Sequence, residues 1–181
     1  MDIDFVVTWV DMNDPVWKKD FAKAKGIIDN SRNQFSEARF RDYGFLKYWF
    51  RGVEKFAPWV RRIHFVTCGQ RPEWLDTSNP RLHLVSHRDY IPEKYLPTFN
   101  STVLEFYLDR IPGLSERFVY FNDDFYLTSP TGPDRFFAED GLRPWVHRHD
   151  PHPVPLQERR HLVDGAVRRV GEPHERPRLF S

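Results

Sequence analysis

A single cysteine, Cys68, in 181 residues leaves nothing for an intramolecular disulfide, which fits a reducing compartment. Cys68 closes an apolar run, so a plain buried thiol is expected there. An excess of one charge is also missing. The 27 Lys and Arg nearly balance the 26 Asp and Glu, for a formal net charge of +1, and basic residues gather only in the C-terminal tail. Binding to a nucleic-acid backbone needs a concentrated basic face, so no nucleic-acid partner is expected. No apolar stretch approaches the ~20 residues of a membrane span. Met1-Asp2-Ile3-Asp4 is acidic and runs straight into a strand pattern, so a secretory leader is not expected either. These absences point to a soluble, cytoplasmic protein and leave docking at a membrane surface open.

Aromatic residues are plentiful, with 16 Phe, 7 Tyr and 6 Trp, enough for a core and for lining a sugar or nucleobase pocket. Phe5–Val10 reads as a first strand, ended by the polar loop Asp11-Met12-Asn13-Asp14-Pro15. Residues 16–33 are charged and weakly patterned, with room for one short helix. From Phe40 to Phe56, apolar residues recur every three or four positions, marking an amphipathic helix that Pro58 ends. Ile63–Cys68 and Leu82–Val85 read as strands, and a helix is expected from near Thr102 to Arg110. Phe118-Val119-Tyr120-Phe121 is a strand apolar on both faces, as in parallel sheets. Strands alternating with helices predict an α/β domain with a mainly parallel sheet over residues 1–140. Residues 141–181 form a Pro-, Arg- and His-rich segment, irregular and poorly ordered in part by expectation.

The strand ends carry the polar chemistry. Asp11, Asn13 and Asp14 follow strand one, Gly69-Gln70 follows strand two, and Asn122-Asp123-Asp124 follows strand four. In a parallel sheet these ends share one rim, where ligands bind. Adjacent aspartates offer hard oxygen donors to Mg²⁺ or Mn²⁺, which in turn can hold a diphosphate; a plain acidic turn is the alternative. Arg39, Arg41 and Asp42 open the long helix, placed either to grip phosphate or to form a solvated first turn. Asn100 and Ser101 have the composition of a helix cap and could also hydrogen-bond a sugar or phosphate. His147, His149 and His152 crowd one segment, either as a solvated loop or with one imidazole as general base. His64, His83 and His87 lie on or beside strands and read as structural.

Several blocks fall in a recognisable order. They are Ile3–Asp11 with Asn13-Asp14-Pro15, Arg39-Phe40-Arg41-Asp42, Val53–Trp59, Val66–Gln70, Pro80-Arg81, His87-Arg88-Asp89, Leu96–Ser101, Arg110–Glu116 and Phe121–Asp124. Over residues 3–127 the chain resembles the Stealth proteins, which include bacterial capsular-polysaccharide hexose-1-phosphotransferases and the α/β subunit of the animal N-acetylglucosamine-1-phosphotransferase. The resemblance implies a glycosyltransferase-A-like α/β fold, a UDP-sugar donor such as UDP-N-acetylhexosamine, a glycan acceptor, and Mg²⁺ or Mn²⁺. Sugar-1-phosphate would move to an acceptor hydroxyl with release of UMP, in capsule or exopolysaccharide synthesis. By the same resemblance Asp124, with Asp123 or Asn122, holds the metal, His149 takes the acceptor's proton and Arg41 offsets phosphate charge. Asp11, Asn13 and Asp14 contact the uridine or ribose, and Arg39, Asp42, Gln70, Asn100 and Ser101 complete the substrate site. His149-Asp150-Pro151-His152 resembles the start of the family's third block, and the fourth block has no match here. That difference implies a truncated homologue, a degraded copy, or a half complemented by another chain. An ordinary glycosyltransferase releasing UDP and a non-catalytic nucleotide-sugar-binding subunit are the competing expectations.

Overall fold

A computed structural model of the chain describes residues 2–27, 44–138, 141–142 and 167–169. The first strand, β1, spans Ile3–Thr8, two residues earlier at each end than the apolar pattern suggests. Asp4 lies within it, fully buried, because partners described below satisfy its carboxylate. Helix α1 (Pro15–Ile27) follows, and α2 spans Leu46–Phe56. Residues 28–43, including the expected start of the long helix, lie outside the described residues. Next come β2 (Arg62–Thr67), β3 (Leu82–Ser86) and the short α3 (His87–Tyr90). The helix expected over 102–110 divides into α4 (Ser101–Phe106) and a 3₁₀ turn at Leu108–Arg110. Tyr107, at φ −106° and ψ 5°, has left the helical basin. Strand β4 is Arg117–Phe121. A two-residue ladder pairs β5 (Phe137–Ala138) with β6 (Gly141–Leu142). Strand β7 (Val167–Arg169) completes the described elements. Of the C-terminal segment 141–181, only β6 and β7 are described.

The main sheet has the order β3-β2-β1-β4-β7. The first four strands are parallel, and β7 runs antiparallel to β4 with Phe118 opposite Arg168. Val6 at the centre pairs with His64 on one side and Tyr120 on the other. Burial on both faces explains the unbroken apolar runs. One face (Ile3, Phe5, Val7, Phe65, Val119, Phe121) packs under α2, which buries Leu46, Trp49 and Val53 at three- and four-residue spacing. The other face (Val6, Val66, Phe118, Tyr120) packs under Tyr90, Leu108 and Ile111.

Gly52, on the inner side of α2, is required for closeness. A Cβ there would stand 3.0 Å from the carbonyl oxygen of Leu127, so the helix rests against the chain just after β4. That chain returns along the same face. Thr131 N–H donates to Phe56 O (2.9 Å), and the Trp59 indole N–H donates to Thr131 O (2.6 Å). This is an α/β domain with a mainly parallel sheet covered by helices, as glycosyltransferase-A-like folds require.

Candidate functional site

Strand order reverses between β1 and β4. From β1 the chain crosses to β2 and β3 on one side, then returns to place β4 on the other. At such a switch point the loops leaving the strands' carboxyl ends diverge and open a crevice, the usual ligand position in open α/β sheets. The loops meeting here begin at Trp9 and Asn122.

The β1 loop is tightly organised. Asp11 Oδ1 accepts from Asn13 N–H (2.8 Å), and Asp14 N–H reaches Asp11 O (3.3 Å). Asp14 Oδ1 accepts from Trp17 N–H (2.7 Å), so Asp14 caps α1, with Pro15 in its first position. This cap explains how a helix of 13 residues grows from a weakly patterned sequence. On α1, Trp17 and Phe21 stack at 4.7 Å, and Phe99 meets the Trp17 ring edge-on at 5.6 Å. That contact brings α1 against the segment carrying Asn100 and Ser101. Asn100 Oδ1 accepts from Thr102 N–H (3.0 Å) as the cap of α4, while Ser101 is exposed in its first turn.

The β2 end joins the β1 loop directly. Gln70 Oε1 accepts from Asp11 N–H and Gln70 Nε2 donates to Asp11 O, both at 2.8 Å. Cys68 sits beside this contact and is exposed, against the expectation of a buried thiol. Strand β2 stops at Thr67, and Gly69 at φ +105° turns the chain outward, a conformation that suits glycine. Residual burial still pushes the Cys68 thiol up, so it is protonated at neutral pH.

The β4 end joins β1 through hydroxyls. Tyr120 O–H donates to Asn122 Oδ1 (2.9 Å), and the Thr8 hydroxyl lies 3.1 Å from the Tyr120 oxygen. Phe125 N–H closes a turn onto Asn122 O (3.2 Å), with Asp123 half-buried and Asp124 exposed at its corner. Thr8 and Tyr120 were not singled out from sequence. The available signal was the two-residue spacing of Tyr120 and Asn122, which puts both side chains on one face of the strand.

No group of three His, Cys, Asp or Glu side chains suited to a metal forms among the described residues. The donors present are the adjacent carboxylates of Asp123 and Asp124. That set does not make an all-protein cage for Ca²⁺ or Zn²⁺. It fits Mg²⁺ or Mn²⁺, which keep waters and substrate phosphates as ligands. Arg39, Arg41, Asp42 and His149 lie outside the described residues.

The opposite end of the sheet is built differently. Asp4 accepts from Arg61 Nε (2.9 Å) and Nη2 (2.6 Å), from His64 Nε2 (2.9 Å) and from Ser115 N–H (2.9 Å). Burial alone would raise its carboxyl. The hydrogen bonds from His64, Arg61 and Ser115 outweigh burial and hold it at about 2. Because the ionised carboxylate only accepts, His64 Nε2 donates to it, and His64 Nδ1 lies 2.9 Å from His83 Nδ1. An open depression of about 650 Å³ lies here, beside Asp2 and residues 113–117. Arg61 on its wall is committed to Asp4 and to Gly113 O (3.0 Å), which makes this end an anchor.

The family model for Stealth protein conserved region 2 matches residues 39–144. The chain belongs to the Stealth family. The matched region runs from before α2 through β4 and its Asn122–Asp124 turn. The Stealth chain is 54% identical over 141 residues to a receptor polysaccharide phosphotransferase, WefC, of Streptococcus oralis, covering 77% of this chain and 42% of that protein. It is 52% identical over 141 residues to the capsular polysaccharide phosphotransferase WcwK of Streptococcus pneumoniae, with the same coverages. Against the exopolysaccharide phosphotransferase cps2G of Lactiplantibacillus plantarum the identity is 48% over 141 residues, covering 78% and 41%. The Stealth chain therefore spans about two-fifths of the length of the curated relatives it matches.

Proposed function

We propose that this Stealth chain carries the donor-binding part of a metal-dependent sugar-1-phosphate transferase acting in capsule or exopolysaccharide synthesis. The observation that carries the reading is the adjacent pair Asp123-Asp124 at the β1/β4 switch point of a chain related to polysaccharide phosphotransferases. The donor is a UDP-sugar, UDP-N-acetylhexosamine in the first instance, and the acceptor is a glycan hydroxyl.

Asp124, with Asp123, would hold Mg²⁺ or Mn²⁺. When bound, the ion neutralises diphosphate charge and orients the phosphorus for in-line attack. Asn122 is kept in place by Tyr120, and Asp11, Asn13 and Asp14 face the nucleoside. His149 takes the proton of the acceptor hydroxyl, and Arg41 balances charge on the transferred phosphoryl group. The acceptor oxygen forms a bond to the phosphorus that bears the sugar. The bond from that phosphorus to the bridging oxygen breaks, and UMP leaves with the bridging oxygen. The product is a phosphodiester.

Incubation of the purified chain with UDP-N-acetylglucosamine, Mg²⁺ or Mn²⁺ and a pool of glycan acceptors tests this by the nucleotide released. UMP supports phosphotransfer. UDP would assign ordinary glycosyl transfer, with attack at the anomeric carbon. Donor binding without release would restrict this chain to nucleotide-sugar binding.

A further inference from the structure

We propose that Gln70 is a positioning residue that sets the conformation of the donor-binding loop and does not itself contact the substrate. The inference rests on the donor reading above and adds to it the residue that gives the β1 loop its shape.

Gln70 and Asp11 are 59 positions apart, yet the side-chain amide of one pairs with both backbone groups of the other. An amide has one acceptor and one donor end, and only one orientation matches N–H with oxygen and C=O with nitrogen. Two bonds of 2.8 Å therefore fix its direction and commit both polar ends. The support beneath it is equally specified. The Thr67 hydroxyl, on a residue only 4% exposed, donates to Gln70 O (2.8 Å) and accepts from Gly69 N–H (3.1 Å). This holds the turn that aims Gln70 at the β1 loop. On the far side, Asp11 O also takes Asp14 N–H, and Asp14 caps α1. Gln70 thus ties the end of β2 to the loop and to the helix start, while Thr8 and Tyr120 separately link β1 to the turn bearing Asp123 and Asp124. Releasing it frees the Asp11 backbone to rotate, and the loop's carboxylates then sample geometries that no longer match a nucleoside.

The test reads the loop and the ligand separately, by amide exchange in the unliganded protein and by titration with UDP and Mg²⁺. Gln70→Ala is expected to speed exchange at the Asp11 N–H about ten-fold, leave central β2 amides such as Phe65 unchanged, and weaken UDP about ten-fold. General destabilisation would instead speed exchange throughout the sheet.

Gln70→Glu gives a sharper readout. Its carboxylate still accepts from Asp11 N–H, but its second oxygen faces Asp11 O and repels it. Protonating that carboxyl restores a donor. The ratio of variant to wild-type affinity should therefore recover as pH falls through the carboxylate range. Asp11, Asp14 and Cys68 are present in both proteins, so the ratio isolates the introduced carboxyl.

Unchanged exchange at Asp11 in Gln70→Ala would overturn the clamp, and if UDP binding fell nonetheless it would make Gln70 a substrate contact. Faster exchange with unaltered UDP affinity would overturn the positioning role. A wild-type chain that binds no UDP would overturn the donor reading, while the exchange result would still decide whether the clamp exists.

Discussion

At the scale of single residues, the anchor and the rim make opposite demands on aspartate. Asp4 is wholly buried and its folded pKa of about 2 lies below the ordinary value of 3.8. The unfolded chain thus binds more protons than the folded one as pH falls. Stability from Asp4, on the order of 2 kcal/mol, is complete above pH 4 and is lost as pH drops towards 2. His87, lowered by burial to about 4, has the same sign over a higher window, losing its contribution from about pH 6.5 downwards. Urea midpoints measured from pH 8 to pH 2 should fall in two stages. Asp4→Asn should remove the lower one and cost about 3 kcal/mol at neutral pH, because Arg61 and His64 lose a charged acceptor. Asp124 should behave in the reverse way. It is exposed, so Asp124→Ala is expected to leave the unfolding free energy from urea titration within about 0.5 kcal/mol of the parent and to abolish the Mg²⁺ dependence of UDP-sugar binding in calorimetry. Metal-dependent binding that survives this change would reject the metal assignment.

Among elements, helix ends and close packing control what reaches the rim. Asp14→Ala removes the cap of α1 and should cost about 1 kcal/mol, with loss of order in the loop beginning at Asp11. Gly52→Val pushes α2 off the Leu127 carbonyl and should cost about 1–3 kcal/mol in chemical denaturation, disturbing the chain just beyond Asp124. The strands and α2 were legible because their apolar spacing reports burial directly. The limits of β1 were not, since a charged Asp4 reads as loop until Arg61, His64 and Ser115 are known to surround it. The break at Tyr107 was hidden for a related reason. Leu108 and Ile111 keep a helical spacing, but they pack against the sheet from a 3₁₀ turn. At the rim, the acidic and amide residues were visible by type. What sequence spacing cannot show is which of their polar atoms are already occupied. Asp14 and Asn100 each use a side-chain oxygen as a cap, and Gln70 uses both its amide oxygen and its amide nitrogen on Asp11.

For the molecule as a whole, one sheet separates two tasks. Its amino end holds a saturated ionic anchor, and its carboxyl end presents carboxylates and amides on loops braced from three strands. Among the described residues no helix is long and apolar enough to cross a membrane. The antiparallel pairing of β7 means that the chain enters β7 from the rim side, since Val167 lies opposite Val119 and Arg169 opposite Arg117. The exposed thiol beside the clamp has a practical consequence. Cys68 is the protein's sole cysteine, protonated at neutral pH and two residues from Gln70. Alkylation with N-ethylmaleimide would put a bulky ring beside the Gln70–Asp11 pairing and is expected to weaken UDP binding, whereas Cys68→Ser should bind UDP as the parent does. Sensitivity to thiol reagents would then report crowding of the β1 loop, with no sulfur chemistry in the reaction, and a fluorophore on that one atom would serve as an occupancy gauge without any engineered handle.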